Sequence, residues 1–493
     1  MAILKFKKNK NRKVACNTIR IIMACFITLL LLSCKGNQAD MGMIGVHNND
    51  HPAQKKPNII VILADDAGYV DFGFMGSEDL LTPRMDQLAR SGTIFTDAHV
   101  SATVCAPSRA GLITGKYQQR FGFEANGTGG IGLSDNVVTI ADVFKQNGYR
   151  TYALGKWHLG KDISDHPNQR GFDEFYGFLT GSRSYFPLKN PSDDKMLQHN
   201  GKRVTFEGYM TDVLGDQSVT YAEESAKQPF FMYLAYNAVH TPMEATEEDL
   251  KKFEGHPRQK LAAMTWSLDK NVGKLLDKLD ELGIRENTLI YFLSDNGGAH
   301  TNDSKNGPLK GWKGNKFEGG HRVPFVLSWP KALKGQKTFE GLTSSLDIFA
   351  TSLAAAGIQK SDSLQLDGVN LLPFLQEEEG RDPHPKLFWR KLDESAARVG
   401  DHKMITLKGY GSVLYDLKND LGEVHDLSKT DTLQFEKVRE EFENWETQLM
   451  APLWDEGEKW MSVTYHIHKQ LMQNKKAEFK SPGHPAFKLK KNQ

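Results

Sequence analysis

The stretch Asn58-Ile59-Ile60-Val61-Ile62-Leu63-Ala64-Asp65-Asp66 decides the fold. Its run from Ile59 to Leu63 is apolar and mostly β-branched, which is typical of a strand that is buried on both faces in a parallel sheet. Further strands are predicted at 149–154, 230–236, 288–293 and 323–329, with helical patterns at 82–90, 138–147 and 261–282 between them. Strands that alternate with helices indicate an α/β fold with a largely parallel sheet.

Two other regions lack this regular alternation. Residues 161–228 are polar and weakly periodic, so we expect long loops with short elements there. From about residue 380 the pattern favours short antiparallel strands at 387–391, 397–405 and 413–417, followed by a helix that carries Phe435, Val438, Phe442, Trp445 and Leu449 on one face. The predicted domains are therefore an α/β domain over 57–379, a smaller α+β subdomain over 380–464, and a basic, solvated tail over 465–493.

The N-terminal residues predict export. Residues 1–33 contain seven Lys or Arg and no acidic residue, and the apolar run 21–32 is shorter than the roughly 20 residues that span a bilayer. This pattern matches a signal peptide over 1–33, although an uncleaved short anchor is the alternative. Leu31-Leu32-Ser33-Cys34 resembles a bacterial lipobox, which implies that Cys34 is lipidated. A tether over 34–56 would then hold the protein at a membrane, on its periplasmic or outer face.

Charge and cysteine content narrow the function classes. The whole chain has a net charge of +1, but the residues after the signal contain 55 basic and 61 acidic side chains. A net charge of −6 argues against a nucleic-acid partner, which would require a basic surface. Beyond Cys34 the sequence has a single cysteine, Cys105, and so no disulfide is expected in the folded part.

Polar residues follow four of the predicted strands. They are Asp65 and Asp66, Lys156 and His158, His240, and Asp295 with Asn296. Each group alone is better explained as an ordinary loop, cap or turn. In open α/β sheets, however, ligands bind outside the carboxyl ends of the strands, so all four groups are candidates for one site. Cys105 precedes a predicted short helix at 110–115, and a helix N-terminus favours bound anions.

These motifs resemble the type I sulfatases of the alkaline phosphatase superfamily. The segment Cys105-Ala106-Pro107-Ser108-Arg109 is similar to the Cys-x-Pro-x-Arg signature of that family. Further similarities are Ala64-Asp65-Asp66, Gly155-Lys156-Trp157-His158-Leu159-Gly160, His240-Thr241-Pro242, Ser294-Asp295-Asn296-Gly297, and Lys313 before Glu318-Gly319-Gly320. The resemblance runs from about Pro57 to Pro330. It implies an alkaline-phosphatase-like fold, with a large mostly parallel or mixed sheet flanked by helices, and sulfate ester hydrolysis.

The resemblance also implies the cofactors. Cys105 would be oxidised to formylglycine by a formylglycine-generating enzyme, and the hydrated aldehyde would attack sulfur. A divalent cation would be held by Asp65, Asp66, Asp295, Asn296 and the modified residue 105. Hard oxygen ligands suit Ca²⁺, and less well Mg²⁺, rather than zinc.

Catalytic roles follow from the same resemblance. Arg109 would share in charge stabilisation, and Lys156 and Lys313 would hold sulfate oxygens. His158 would act as the base that releases sulfate, and His240 would protonate the leaving oxygen, since histidine exchanges protons near neutral pH. Lys313 is chosen over Lys310 and Lys316 by its spacing before Glu318. Arg183 and Tyr185 are suggested as walls of a sugar pocket, although ordinary surface loop is an equal alternative.

Three functions are consistent with these residues. The first is a sulfatase that acts on an exported sulfated carbohydrate, such as ulvan, carrageenan or a glycosaminoglycan. The second is a phosphonate monoester or phosphodiester hydrolase of the same superfamily. The third is a surface protein that binds sulfated glycans without catalysis, with Cys105 remaining a thiol. Every expected catalytic position is filled, which argues against the third function. The first is favoured, but the active site of the second would look almost the same in sequence, so only substrate turnover separates these two.

Overall fold

A computed structural model of the chain describes residues 56–127, 132–376, 382–480 and 484–487. The predicted signal peptide, Cys34 and all of the tether before residue 56 lie outside the described residues. Contacts group the described residues into one compact unit. None of the described helices combines the length and apolar character that a membrane span needs.

A ten-stranded mixed sheet forms the main body. Its strands are β1 (Asn58–Ala64), β2 (Thr93–Phe95), β4 (Arg150–Lys156), β5 (Glu174–Phe178), β6 (Gln198–His199), β7 (Lys202–Arg203), β8 (Phe230–Ala235), β9 (Thr288–Ser294), β10 (Phe325–Ser328) and β11 (Lys337–Phe339). Their order in the sheet is β11-β2-β10-β9-β1-β8-β4-β5-β6-β7. The central strands β9, β1, β8, β4 and β5 pair in parallel, whereas β10, β6 and β7 join antiparallel. β3 (Ala98–His99) and β12 (Thr343–Ser344) form a separate pair.

Helices cover both faces of the sheet. Alternate residues of β1 enter two different cores, with Ile59, Val61 and Leu63 on one side and Ile60 and Ile62 on the other. This is why the strand is apolar at every position rather than at every second one. The helices are α1 (Pro83–Arg90), α2 (Cys105–Thr114), α3 (Ile140–Gln146), α4 (Met210–Glu224), α5 (Glu247–Lys252), α6 (Gln259–Glu281), α7 (Glu318–His321), α8 (Asp347–Ala355) and α9 (Leu372–Gln376).

The C-terminal part adds a smaller antiparallel sheet and two helices. They are β13 (Lys386–Lys391), β14 (Glu394–Val399), β15 (His402–Leu407), β16 (Gly411–Asp416), α10 (Thr432–Glu446) and α11 (Glu458–Met472). Trp389 on β13 is buried and donates its indole N–H to Val100 O at 2.7 Å. The buried Lys403 on β15 forms ion pairs of 2.8 Å with Glu318 and Glu423. The predicted α/β fold with a large mixed sheet and a small antiparallel one is confirmed.

Three expectations about local structure were wrong. The region 161–228 contains the 15-residue helix α4, whose buried face includes Thr211, Gly215 and Ser218, so its hydrophobic period is weak. The strand expected at 397–405 is two strands, β14 and β15, joined by a turn in which Gly400 has a φ of 56°. Residue 465, where we expected a solvated tail to begin, lies inside helix α11.

Helix α11 packs through an apolar face, which the sequence analysis missed because lysines surround it. Val463, Ile467 and Leu471 are buried at i, i+4 and i+8. They pack in one cluster with residues of the C-terminal sheet, among them Trp389 and Tyr415. Helix α11 is therefore part of the folded core.

Candidate active site

The polar residues that follow four strands meet at one edge of the large sheet. Strands β9, β1, β8 and β4 are consecutive neighbours, and the parallel register aligns Ala64 with Ser294 and Leu63 with Ala235. Their carboxyl ends therefore lie side by side. The convergence predicted from the sequence follows directly from this strand order.

The ends of β1 and β9 supply a buried set of oxygen atoms. Asp65, Asp66, Asp295 and Asn296 are all 2% exposed or less. The Asp66 backbone N–H donates to Asp295 Oδ1 at 3.2 Å, and Asn296 Nδ2 donates to Asp66 Oδ1 at 2.8 Å. Asn296 Oδ1 is buried and accepts no hydrogen bond from the described residues. Such an unpaired buried oxygen is unusual and suits a ligand atom.

Asp66 is held in an unusual backbone conformation. Its φ of 64° is in the left-handed region, which Asp tolerates better than most residues. Its carbonyl oxygen accepts from Asn302 Nδ2 at 3.1 Å and from Ser304 Oγ at 3.0 Å. The buried Asn302 also donates to Val239 O at 3.0 Å, and so it fixes two of the strand-end turns together. No sequence signal identified this role for Asn302.

Cys105 is the first residue of helix α2 and lies beside the carboxylates. Its side chain is 1% exposed, with Sγ 3.6 Å from Asp65 Oδ1 and 3.9 Å from Asp66 Oδ1. Helix α2 begins five residues earlier than the sequence indicated, so residue 105 lies in the first helical turn itself. Burial raises the pKa of the Cys105 thiol to about 12. An unmodified Cys105 is therefore a neutral thiol at pH 7 and a weak nucleophile.

Three cationic side chains surround this position. Arg109 donates from Nε to Asp295 Oδ2 at 2.9 Å and from Nη1 to Lys156 O at 2.8 Å. Lys156 Nζ lies 2.6 Å from Asp65 Oδ2. Lys313 Nζ lies 2.6 Å from Asp66 Oδ1 and 3.2 Å from Cys105 Sγ.

The two other lysines of the loop bond elsewhere. Lys310 Nζ donates to Glu423 O and Asn474 Oδ1, and Lys316 Nζ donates to Thr103 Oγ1. Among the three loop lysines, Lys313 is thus the one that reaches Cys105.

These charges and burial shift the pKa values of two carboxylates in opposite directions. Burial disfavours the charge of Asp65, but Lys156 and His240 outweigh it and hold the pKa of the Asp65 carboxyl well below its usual value. Burial and the charge of Asp65 raise the pKa of Asp295 to about 6. Burial also opposes the charge of Lys313, yet Asp66 and Cys105 keep its pKa well above the usual value. The site is a dense cluster of opposite charges shielded from water.

Two histidines flank the cluster. His240 contacts Thr241 O through Nδ1 at 2.6 Å, which directs Nε2 toward Asp66 Oδ2 at 3.6 Å. His158 has a φ of 58°, and its Nδ1 is buried and unpartnered among the described residues. Burial lowers the pKa of both rings, and Lys156 lowers that of His158 further. Both are neutral near pH 7, and each keeps one ring nitrogen free of strong hydrogen bonds.

Arg183 and Tyr185 are both buried and hydrogen-bonded to the backbone. Arg183 is 4% exposed and donates to the backbone oxygens of Ser184 and Lys195. Tyr185 is fully buried, and its hydroxyl donates to the backbone carbonyls of Asn237 and His240. Tyr185 therefore supports the turn that carries His240 from behind. The polar loop around both residues folds back onto the core, and their contact with sugar stays a prediction that these bonds do not support.

The actual pocket has a wall that the sequence did not reveal. A cavity of about 560 Å³ is lined by Asp66, His240 and Lys313 at one end. Other parts of the cavity are lined by Trp312, next to Lys313, and by the residues Lys391, Glu456, Trp460, Thr464 and His468 of the C-terminal part. The spacing of Val463, Ile467 and Leu471 could have predicted the helix that carries three of these residues. Nothing in the sequence linked that helix to the strand ends.

Family comparison agrees with this arrangement. The Sulfatase family model matches residues 57–358, more than half of the chain, and the model described as N-sulphoglucosamine sulphohydrolase, C-terminal, matches residues 311–459. The chain belongs to the sulfatase family. The resemblance stated from its motifs is confirmed, and the protein is a sulfuric ester hydrolase.

Curated relatives of this sulfatase include bacterial and animal proteins. The uncharacterized sulfatase YdeN of Escherichia coli (strain K12) is 32% identical over 396 residues, which cover 69% of this chain and 70% of the relative. N-acetylgalactosamine-6-sulfatase of Homo sapiens is 30% identical over 379 residues, which cover 71% of this chain and 72% of the relative.

Solved structures support the same assignment. The crystal structure of Ps i-CgsB in complex with k-i-k-neocarrahexaose is 37% identical, with a TM-score of 0.78. The match covers 85% of this sulfatase and 99% of that chain. The PsFucS1 sulfatase from Pseudoalteromonas sp. is 23% identical with a TM-score of 0.70, which shows a shared fold.

Proposed function

We propose that this sulfatase hydrolyses a sulfate ester of a carbohydrate, with Cys105 matured to formylglycine and a Ca²⁺ ion beside it. The observation that carries the proposal is the meeting of Arg109, Lys156 and Lys313 with a buried carboxylate cluster around Cys105. An anionic substrate group needs such cations, and the closely spaced carboxylate oxygens suit a divalent cation.

The residues fit a hard divalent cation. Asp65, Asp66 and Asp295 offer carboxylate oxygens, and Asn296 offers the unpartnered Oδ1. Ligand atoms of Asp65, Asp66, Cys105 and His240 lie within 4.8 Å of one another. An oxygen-rich set of this kind suits Ca²⁺, and less well Mg²⁺. Bound there, the ion would offset negative charge that develops on the sulfuryl oxygens.

Maturation of Cys105 would supply the nucleophile that the thiol lacks. A hydrated aldehyde offers a hydroxyl that can attack sulfur, and the aldehyde can be regenerated after each turnover. Within the chain, Lys156 and Lys313 would bind sulfate oxygens while Arg109 stabilises charge beside residue 105. The free ring nitrogens of His158 and His240 are suited to accept and return protons at the two sides of the reacting group.

A carbohydrate substrate is supported by the relatives and by the pocket. A solved structure 37% identical to this chain contains k-i-k-neocarrahexaose, and an animal relative is named for N-acetylgalactosamine 6-sulfate. Steryl-sulfatase of Mus musculus is also 30% identical. The charged Lys391 and Glu456 in the pocket favour a hydroxyl-rich sugar over an apolar sterol. Carrageenan oligosaccharides are therefore the first substrates to test, followed by ulvan and glycosaminoglycans.

The cellular context of the proposal comes from residues 1–56. We propose that a formylglycine-generating enzyme matures Cys105 and that Cys34 carries a lipid anchor after export, on the periplasmic or the outer face of a bacterial membrane. The lipobox at 31–34 and the basic, apolar stretch before it support export. Labelling of expressing cells with a fatty-acid analogue tests the anchor, because Cys34→Ala should abolish incorporation.

One preparation can test the catalytic proposal. The protein is made in a host with formylglycine-generating activity, and the peptide Ser91–Arg109 is analysed by mass spectrometry. We expect loss of the Cys105 sulfur and turnover of 4-nitrophenyl sulfate and of a sulfated carbohydrate, both absent in Cys105→Ala. Full activity of unmodified protein would refute the formylglycine proposal. Faster hydrolysis of a phosphonate monoester or a phosphodiester would favour the other hydrolase, and binding without turnover would favour a glycan-binding protein.

A further inference from the structure

The cavity beside Cys105 has a second end that the sulfate chemistry does not use. Its total volume is about 560 Å³, which lies in the usual range for small-molecule sites. Asp66, His240 and Lys313 occupy one end. Helix α11, the preceding residue Glu456 and Lys391 at the end of β13 form the other.

A row of aromatic rings from α11, from the segment after it and from the loops after β9 also lines the cavity. Trp460 stacks on Phe479 with ring centroids 6.2 Å apart, His300 lies 6.3 Å from Phe479, and His300 lies 5.2 Å from Trp312. All four residues line the cavity, and Trp460 is 45% exposed although it is large and apolar. A row of aromatic faces of this kind suits the C–H face of a pyranose ring.

The polar part of the wall is rigidly built around Glu456. Lys391 Nζ donates to Glu456 Oε1 at 2.8 Å and to Oε2 at 3.0 Å, and Thr464 Oγ1 donates to Oε1 at 3.1 Å. The side chain of Lys391 is 3% exposed and that of Glu456 is 11% exposed. A carboxylate has about four acceptor positions, so one remains on Oε2. Glu456 is therefore held in place with one acceptor open toward the cavity.

We propose that this wall, formed by the aromatic row with Glu456, binds the sugar ring that carries the sulfate ester. We further propose that Glu456 selects a ring with a free hydroxyl at the contacted position. The inference rests on the proposed carbohydrate substrate. A hydroxyl can donate to Oε2, whereas a second sulfate or a carboxylate at that position would meet the like charge of Glu456. Lys391 does not reverse this preference, because it is the more deeply buried partner and already donates to Glu456 and Thr464.

The test uses four forms of the matured protein: wild type, Glu456→Gln, Trp460→Ala and the control Glu458→Gln. Glu458 is exposed on the same helix and does not line the cavity. Each form is assayed with 4-nitrophenyl sulfate, with monosulfated hexoses and oligosaccharides, and with disulfated hexoses. The readout is the ratio of kcat/KM for the best monosulfated carbohydrate to that for 4-nitrophenyl sulfate.

We expect this ratio to fall about tenfold or more in Glu456→Gln and Trp460→Ala, since a buried hydrogen bond to a charged group or an aromatic contact is lost. It should be unchanged in Glu458→Gln. Discrimination against disulfated rings should also narrow in Glu456→Gln. If wild type hydrolyses carbohydrate and both variants keep the wild-type ratio, the inference is wrong while the proposed function stands. Equal losses on both substrate classes would indicate a structural role and also overturn it. If wild type hydrolyses only 4-nitrophenyl sulfate, the carbohydrate function itself is wrong.

Discussion

Lys313 Nζ lies 3.2 Å from Cys105 Sγ, although 207 residues separate them in the sequence and they belong to different elements. The loop that carries Lys313 is fixed by backbone bonds, among them Lys313 N–H to Gly298 O at 3.1 Å and Gly314 N–H to Thr103 O at 2.8 Å. The Lys313 ammonium group is thus held beside Cys105 by the loop that carries Asp295 and by the segment that leads into Cys105 at the start of α2.

Removal of this ammonium group should impair catalysis strongly. We expect Lys313→Ala to lower kcat by about 100-fold to 1,000-fold, the usual loss when one stabilising donor is removed from an active site. Lys305→Ala is the matched control, because its ammonium group is exposed and pairs with Asp79. The assay is 4-nitrophenyl sulfate hydrolysis by protein whose Cys105 modification has been verified. Near wild-type kcat in Lys313→Ala would contradict this role.

Calcium binding should depend on Asn296. After chelator treatment, added CaCl₂ should raise the Tm of the protein, because a ligand that binds only the folded state stabilises it. Asn296→Ala removes the unpartnered Oδ1 and should shrink this shift, whereas Asn190→Ala, an exposed control, should not. Calorimetric scans at several CaCl₂ concentrations provide the measurement. A full shift in Asn296→Ala would exclude that oxygen as a ligand.

One pH effect is expected from His384, which joins the C-terminal part to α8. Its Nε2 lies 2.7 Å from Asp347 Oδ1, and although burial opposes its charge, Asp347 raises the pKa of His384. A raised pKa contributes stability that is complete below about pH 6.5 and is lost as the pH rises through the folded-state value. The Tm advantage of wild type over His384→Gln should therefore be larger at pH 6 than at pH 9. The exposed His425→Gln serves as the control, and an advantage that grows with pH would refute the argument.

The buried ion pairs of Lys403 should matter for folding. Its side chain is fully buried between Glu318 and Glu423. Lys403→Met would remove the buried cation that these carboxylates share and leave Glu318 with Arg322 at 3.3 Å, and breaking a buried pair in this way costs about 3–5 kcal/mol. Urea unfolding should show a loss of this size, compared with little change for Lys408→Met, whose side chain is 78% exposed. A loss below about 1 kcal/mol would be inconsistent with a charged Lys403.

The strand-end part of the site could be predicted from the sequence, because buried strands have an unmistakable apolar pattern and parallel strands end at one edge. Asp65 and Asp295 directly follow such strands, Lys156 ends one, and His240 lies in the turn after another. The far wall could not be predicted in this way. Glu456 and Trp460 reach the cavity through packing of α11 on the C-terminal sheet, and long-range packing leaves no local signal. The burial of Arg183 and Tyr185 could not be predicted either, since a polar loop sequence does not show which of its side chains turn inward.

The cavity is lined by two parts of the chain, and we expect each part to govern a different property of the enzyme. The end near Cys105 is built on the ends of paired parallel strands, so we expect substitutions there to impair catalysis. Its far end is carried by α11 and β13, whose apolar cluster also includes Phe317 from the loop that carries Lys313. If this wall contacts the sugar as proposed, exchanging cavity-lining residues on α11 should alter substrate preference while the residues that cleave the ester are kept, which makes this helix the natural target for redirecting the enzyme to other sulfated sugars.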